Sequence, residues 1–120
     1  MGSAARLFPA MPALLIVTLW LAAPARAAAP VRIVLKNHGF TPDTVHVPAN
    51  KRLLFDITNQ DATPAEFESS DLRVEKIVVP GGRILVRAGP LRPGTYRFFD
   101  DYHPDQARGT VIASQSQTGQ

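Results

Sequence analysis

From Val31 onward the chain alternates apolar and polar residues in short runs cut by turn formers. VRIVLK puts Val31, Ile33 and Leu35 on one side, and TVHVP puts Val45 and Val47 opposite His46. That two-residue period is the signature of half-buried strands. RLLFDITN, AEFES, LRVEKIVVP, RILVRAG, TYRFFD and RGTVIAS follow with β-branched and aromatic content, and clusters such as NHGFTPD, QDATP, PGG and PLRPG separate them. These clusters read as turns, and no stretch sustains a helical period over three turns. Seven to eight short strands in one small domain predict an all-β sandwich. Its expected core is Ile33, Leu35, Phe40, Val45, Val47, Leu54, Phe55, Ile57, Phe67, Ile77, Val79, Ile84, Val86, Tyr96, Phe98, Val111 and part of Ile112.

The first residues follow a different pattern. Arg6 precedes the apolar run ALLIVTLWLAA, and APARA places Ala25 and Ala27 at small-residue positions. The run is short for a membrane span, and the combination predicts a secretory signal peptide over residues 1–27. An uncleaved anchor is the competing reading. The expected domain is then 28–114, followed by a polar tail at 115–120. Loss of Arg6 and Arg26 leaves 11 of the 13 basic residues against 10 acidic, so the formal charge falls from +3 to about +1. There is no basic stripe with interleaved aromatics, and nucleic acid is not an expected partner. The chain has no cysteine, and both methionines, Met1 and Met11, lie in the leader. An exported domain of this kind rests on its core without disulfides and offers a metal no sulfur.

Two segments carry a resemblance, FTPDTVHVPANKRLLFDITNQDATPAEFE (residues 40–68) and GTYRFFDDYHPDQARGTVIA (residues 94–113). Together they resemble the cupredoxin family, Greek-key sandwiches that hold copper at one end. The resemblance implies four ligand positions. Glu66 stands where the family has its first histidine, and Asp100 where it has its cysteine. His103 keeps the spacing of the second histidine, and Ala107 and Arg108 stand where a methionine is expected. A blue copper centre needs a copper–thiolate bond in a plane of two histidines and one cysteine, so blue-copper electron transfer is excluded. The remaining donors, Glu66, Asp100 and His103 with Glu68, form an oxygen-and-nitrogen set suited to Cu(II) or iron.

A narrower likeness is to the periplasmic cupredoxin components of bacterial iron-uptake systems, including the domain of EfeO-type proteins. It rests on NQDATPAEFES and FFDDYHPDQARGTVIA. It implies a periplasmic metal-binding protein assisting iron uptake beside an inner-membrane iron permease. Catalysis is then at most metal-dependent oxidation of ferrous iron with partners. The alternative is an interaction or scaffold domain that keeps the sandwich and has lost its metal.

Other polar residues have plainer readings. Asp100 and Asp101 are adjacent, so on an extended segment they point opposite ways. Glu66 and Glu68 share a face, and an arginine such as Arg73 or Arg108 would relieve their repulsion as well as a cation would. His46 and Tyr102 read as surface residues. His38 can reach the same end of the sandwich but is left outside the expected ligand set.

Overall fold

The computed structural model describes residues 1–22 and 29–115; the expected cleavage point at Ala27 and most of the polar tail lie outside them. Residues 1–22 carry neither helix nor strand, and their apolar side chains are exposed. Among the described residues no helix is long and apolar enough to cross a membrane.

Nine strands make up the described domain: β1 (Val31–Lys36), β2 (Gly39–Thr41), β3 (Thr44–Pro48), β4 (Leu53–Asn59), β5 (Ala65–Ser69), β6 (Val74–Val78), β7 (Arg83–Ala88), β8 (Gly94–Asp100) and β9 (Arg108–Ser114). They form two sheets, ordered β2-β1-β4-β7 and β3-β9-β8-β5-β6. The all-β sandwich expected from the alternation is the observed architecture. The addition is β2, which lies inside the segment read as a turn cluster. Lys36 pairs with Gly39, so Asn37 and His38 alone make the hairpin loop. Both have positive φ, 51° and 54°, the backbone that a two-residue type I′ turn requires. Two parallel pairings, β1 with β4 and β3 with β9, join strands distant in the chain.

Ile33, Leu35, Phe55 and Ile57 of one sheet and Val45, Val47, Phe67, Phe98 and Val111 of the other fill the interior. Phe40, Phe67 and Phe98 form an aromatic cluster with ring centroids 5.1–6.1 Å apart. Such pairs contribute about 0.5–1.5 kcal/mol each beyond the area they bury. The cluster ties the β1–β2 hairpin to β5 and β8. Gly109 lies under the Phe98 ring, and a Cβ there would sit well inside van der Waals contact with it. Only glycine lets β9 pass at that point.

Ile77 and Val79 are not in the core. They are 57% and 62% exposed, while Val78 between them is buried. The Ala65–Val78 pairing fixes that phase. An uninterrupted IVV run cannot show which residues face inward. Leu53 is buried where Leu54 was expected, and Ile84, Tyr96 and Ile112 are only half-buried.

Candidate metal centre

One end of the sandwich gathers the β1–β2 hairpin tip, the loop after β4, the start of β5 and the loop after β8. Asp100 closes β8 and is buried at 1% exposure. Its Oδ1 accepts the backbone N–H groups of Glu66 at 2.9 Å and Tyr102 at 3.0 Å. Its Oδ2 lies 3.1 Å from His103 Nδ1. Burying a carboxylate is costly unless it is hydrogen-bonded, and here three donors face it when His103 carries its proton on Nδ1. The loop that presents His103 is folded tightly. The His103 N–H donates to the Asp100 carbonyl at 3.0 Å and the Ala107 N–H to the His103 carbonyl at 3.0 Å.

His38 arrives from the other sheet. Its ring stacks on that of His103, with centroids 3.9 Å apart and planes 28° from parallel. The turn that carries it is pinned by Asp61, whose carboxylate accepts the N–H groups of Asn37 at 2.6 Å and His38 at 3.0 Å. Asp61 is itself placed by Asn59, a fully buried side chain. The Asn59 Oδ1 accepts the Asp61 N–H at 2.9 Å, and its amide donates to the carbonyls of Thr63 and Val78. Burial pushes the Asp61 carboxyl upward, but the two backbone donors and the nearby imidazoles outweigh it and hold it below its usual range. Asp61 Oδ2 also lies 3.6 Å from His38 Nδ1. Each imidazole thus has its Nδ1 beside a carboxylate oxygen.

His38, Asp100 and His103 each offer one ligand atom within 4.8 Å of the others; Glu66, Glu68 and Asp101 form a second such group. The four residues singled out in the sequence are therefore divided. Asp100 and His103 belong to the first group with His38, and Glu66 and Glu68 to the second with Asp101. The signal for His38 was its positive-φ position in a two-residue turn, where glycine is the easier residue. Strand alternation sends Asp100 inward and Asp101 outward, as their adjacency implied.

Among the described residues no salt bridge involves Glu66, Glu68, Glu75 or Asp101. Neither Arg73 nor Arg108, the arginines expected to relieve the repulsion, is in such a pair; Arg108 instead holds Asp105 and the Pro104 carbonyl. The Glu66 carboxyl is raised by sharing a hydrogen bond with Glu75, then by desolvation and the charges of Glu75 and Asp101. Desolvation, Asp101 and Glu75 raise Glu68. A surface groove of about 570 Å³ runs along β8 and β9 between Arg97, Phe99, Pro104 and Arg108. It includes no member of either group.

Two imidazoles and a carboxylate fit Cu(II) or iron by donor type, and the absence of sulfur excludes a blue copper centre. In the stack the two rings face each other, whereas a coordinated ion lies in the plane of each imidazole. Coordination by both would turn at least one ring out of the stack.

The structure defines the class as a two-sheet, all-β sandwich with a polar convergence at one end. The sequence profile of the cupredoxin-like domain matches residues 11–113, and the chain belongs to that family. It is 44% identical over 84 residues to the uncharacterized protein RP394 of Rickettsia prowazekii (strain Madrid E), a match covering 70% of this chain and 67% of that protein. Auracyanin A, a blue copper protein from Chloroflexus aurantiacus, superposes with a TM-score of 0.62 at 11% identity, covering 72% of this chain and 98% of that one. A purple cupredoxin from Nitrosopumilus maritimus gives a TM-score of 0.56 at 19% identity, over 70% and 99% of the two chains. At those identities the structures share the fold.

Proposed function

We propose that the protein is a periplasmic metal-binding cupredoxin that assists iron uptake, holding Cu(II) or iron through oxygen and nitrogen donors. The observation that carries this reading is the convergence of His38, Asp100 and His103 within 4.8 Å, at one end of a sandwich of the kind that the family resemblance implies holds copper at one end. Asp100 anchors the site and orients His103, and Asp61 fixes the turn that brings in His38. Glu66 and Glu68 sit beside this group with Asp101. Their negative potential raises the local concentration of cations and favours the higher charge of Fe(III) over Fe(II). Copper, when bound, supplies a one-electron acceptor for ferrous iron. The signal-like leader supports export, and an inner-membrane iron permease is the partner to which metal would pass.

Calorimetric titration of Cu(II), Fe(II) and Fe(III) into the wild type, His38→Ala, His103→Ala and Glu66→Gln tests the site. Loss of either imidazole is expected to weaken binding at least about tenfold, with a smaller effect from Glu66→Gln. Equal affinity across the set removes the assignment. A metal at one hundred times its Kd should also raise stability by about 2.7 kcal/mol. One observation favours a second reading, a scaffold domain without metal. Asp100 has both oxygens engaged by the chain's own donors, and the two imidazoles stack face to face. A melting temperature unmoved by any of the three ions supports that reading.

A further inference from the structure

β6 and β7 are edge strands of different sheets on the same open side of the sandwich, joined by the turn at 79–82. Outside the leader, the exposed large apolar residues among the described positions are Ile77, Val79, Leu85 and Tyr102. Three of the four lie on or just after these two strands. Unpaired edges with apolar side chains are templates for another strand.

The charges on the two edges are opposite. On β6 the outward face carries Glu75 and Ile77, which pair across the sheet with Glu68 and Glu66. On β7 the outward face is Arg83, Leu85 and Arg87. Arg83 is held by Asp56 through two hydrogen bonds. Arg87 is in no salt bridge among the described residues, and neither is Glu75.

We propose that the protein forms a two-fold dimer in which β6 of each copy pairs antiparallel with β7 of the other. The turn at 79–82 reverses the chain, so a two-fold axis along the strands makes both contacts at once and closes the assembly. With Ile77 opposite Leu85 of the partner copy, the same register sets Glu75 opposite Arg87 and Val79 opposite Arg83. Each cross-strand pair is then apolar with apolar, acid with base, or apolar against an arginine stem. The competing two-fold, perpendicular to the sheets, pairs β7 with β7 and sets Arg83 opposite Arg87 of the partner copy. It also brings the two acidic faces together. Like-charge opposition disfavours that arrangement, so the charge pattern selects the first. Lys76 is exposed at the open seam between the sheets. A charge there restricts pairing to a partner that leaves the seam wet.

The proposal is independent of the metal site. Sedimentation equilibrium of the purified protein at low salt, from micromolar to millimolar concentration, should show a monomer–dimer equilibrium that weakens as salt is added. Glu75→Arg and Arg87→Glu should each raise the dimer Kd at least about tenfold, because like charges then face each other in both symmetric contacts. The double variant, carrying both reversals, should recover most of that loss. Circular dichroism checks that each variant is folded; Glu75→Arg also adds a base to an acidic surface, so it is not expected to unfold the monomer. A monomer throughout overturns the proposal. So does a dimer indifferent to both single reversals, or a double variant no better than either single one.

Discussion

Two groups of chemistry-bearing side chains share one end of the sandwich and are built on opposite terms. Asp100 is enclosed, and both its oxygens are engaged by donors from the chain. Asp101, the next residue, is exposed and shares the surface with Glu66 and Glu68, where acid faces acid. One carboxylate organises the end of the sandwich, and the others load it with charge. Their adjacency on an extended segment sends the two side chains opposite ways, and the packing of the sandwich decides which of them is enclosed.

The sharpest way to break the comparison is to remove each aspartate. Asp100→Ala leaves the Glu66 and Tyr102 N–H groups without their acceptor and is expected to cost about 2–4 kcal/mol, since each orphaned buried donor costs roughly 1–3 kcal/mol. Asp101→Ala should be neutral or slightly stabilising. Urea unfolding of the two variants measures the contrast, and equal costs would show that the enclosed carboxylate has no special role. Next in size is Asp61→Ala, which frees the hairpin tip and should cost about 1–2 kcal/mol, the range for a side chain capping backbone donors. Its amide exchange should quicken at Asn37 and His38 while β8 stays protected. Uniform exchange across both regions would mean that the tip is held by something other than Asp61.

The smallest effect concerns pH. Glu66 and Glu68 have folded-state pKa values raised above their ordinary ones. In the window between the ordinary and raised values the folded state binds more protons than the unfolded state, so stability falls as pH rises through it. At neutral pH both groups are destabilising, and acidifying into that window should stabilise the fold slightly. Asp61 and Asp56 act oppositely. Their lowered values give stability that is present above the ordinary carboxylate pKa and lost as pH falls through the folded one. Thermal melts should therefore show a shallow optimum in mild acid, and Glu66→Gln should flatten its alkaline side. An unchanged profile in that variant would assign the slope to other groups.

Much of the fold was legible because alternation reports directly on burial. β5 and β9 have the bounds that the apolar pattern marks. The phase of β6 was not legible, because three consecutive apolar residues give no alternation and the partner strand chooses which faces inward. The candidate site was half legible. Asp100 and His103 lie on one local segment, and their spacing is a local property. His38 comes from the β1–β2 hairpin of the other sheet, at the far end of the domain's sequence. Its approach depends on Asp61, Asn59 and the aromatic cluster beneath, none of which a linear reading connects. The acidic neighbour of Glu66 and Glu68 was likewise hidden, because Glu75 stands beside them only once β5 and β6 are paired.

The parallel pairing of β1 with β4, together with the late position of β8, sets a timing. The hairpin tip cannot meet the His103 loop until the last third of the chain has docked beneath it, and contacts between such distant segments form slowly. Until that closure the donors are scattered along a coil with no common focus. The cluster of His38, Asp100 and His103 is therefore assembled by the closure of the two sheets and by no local segment of the chain.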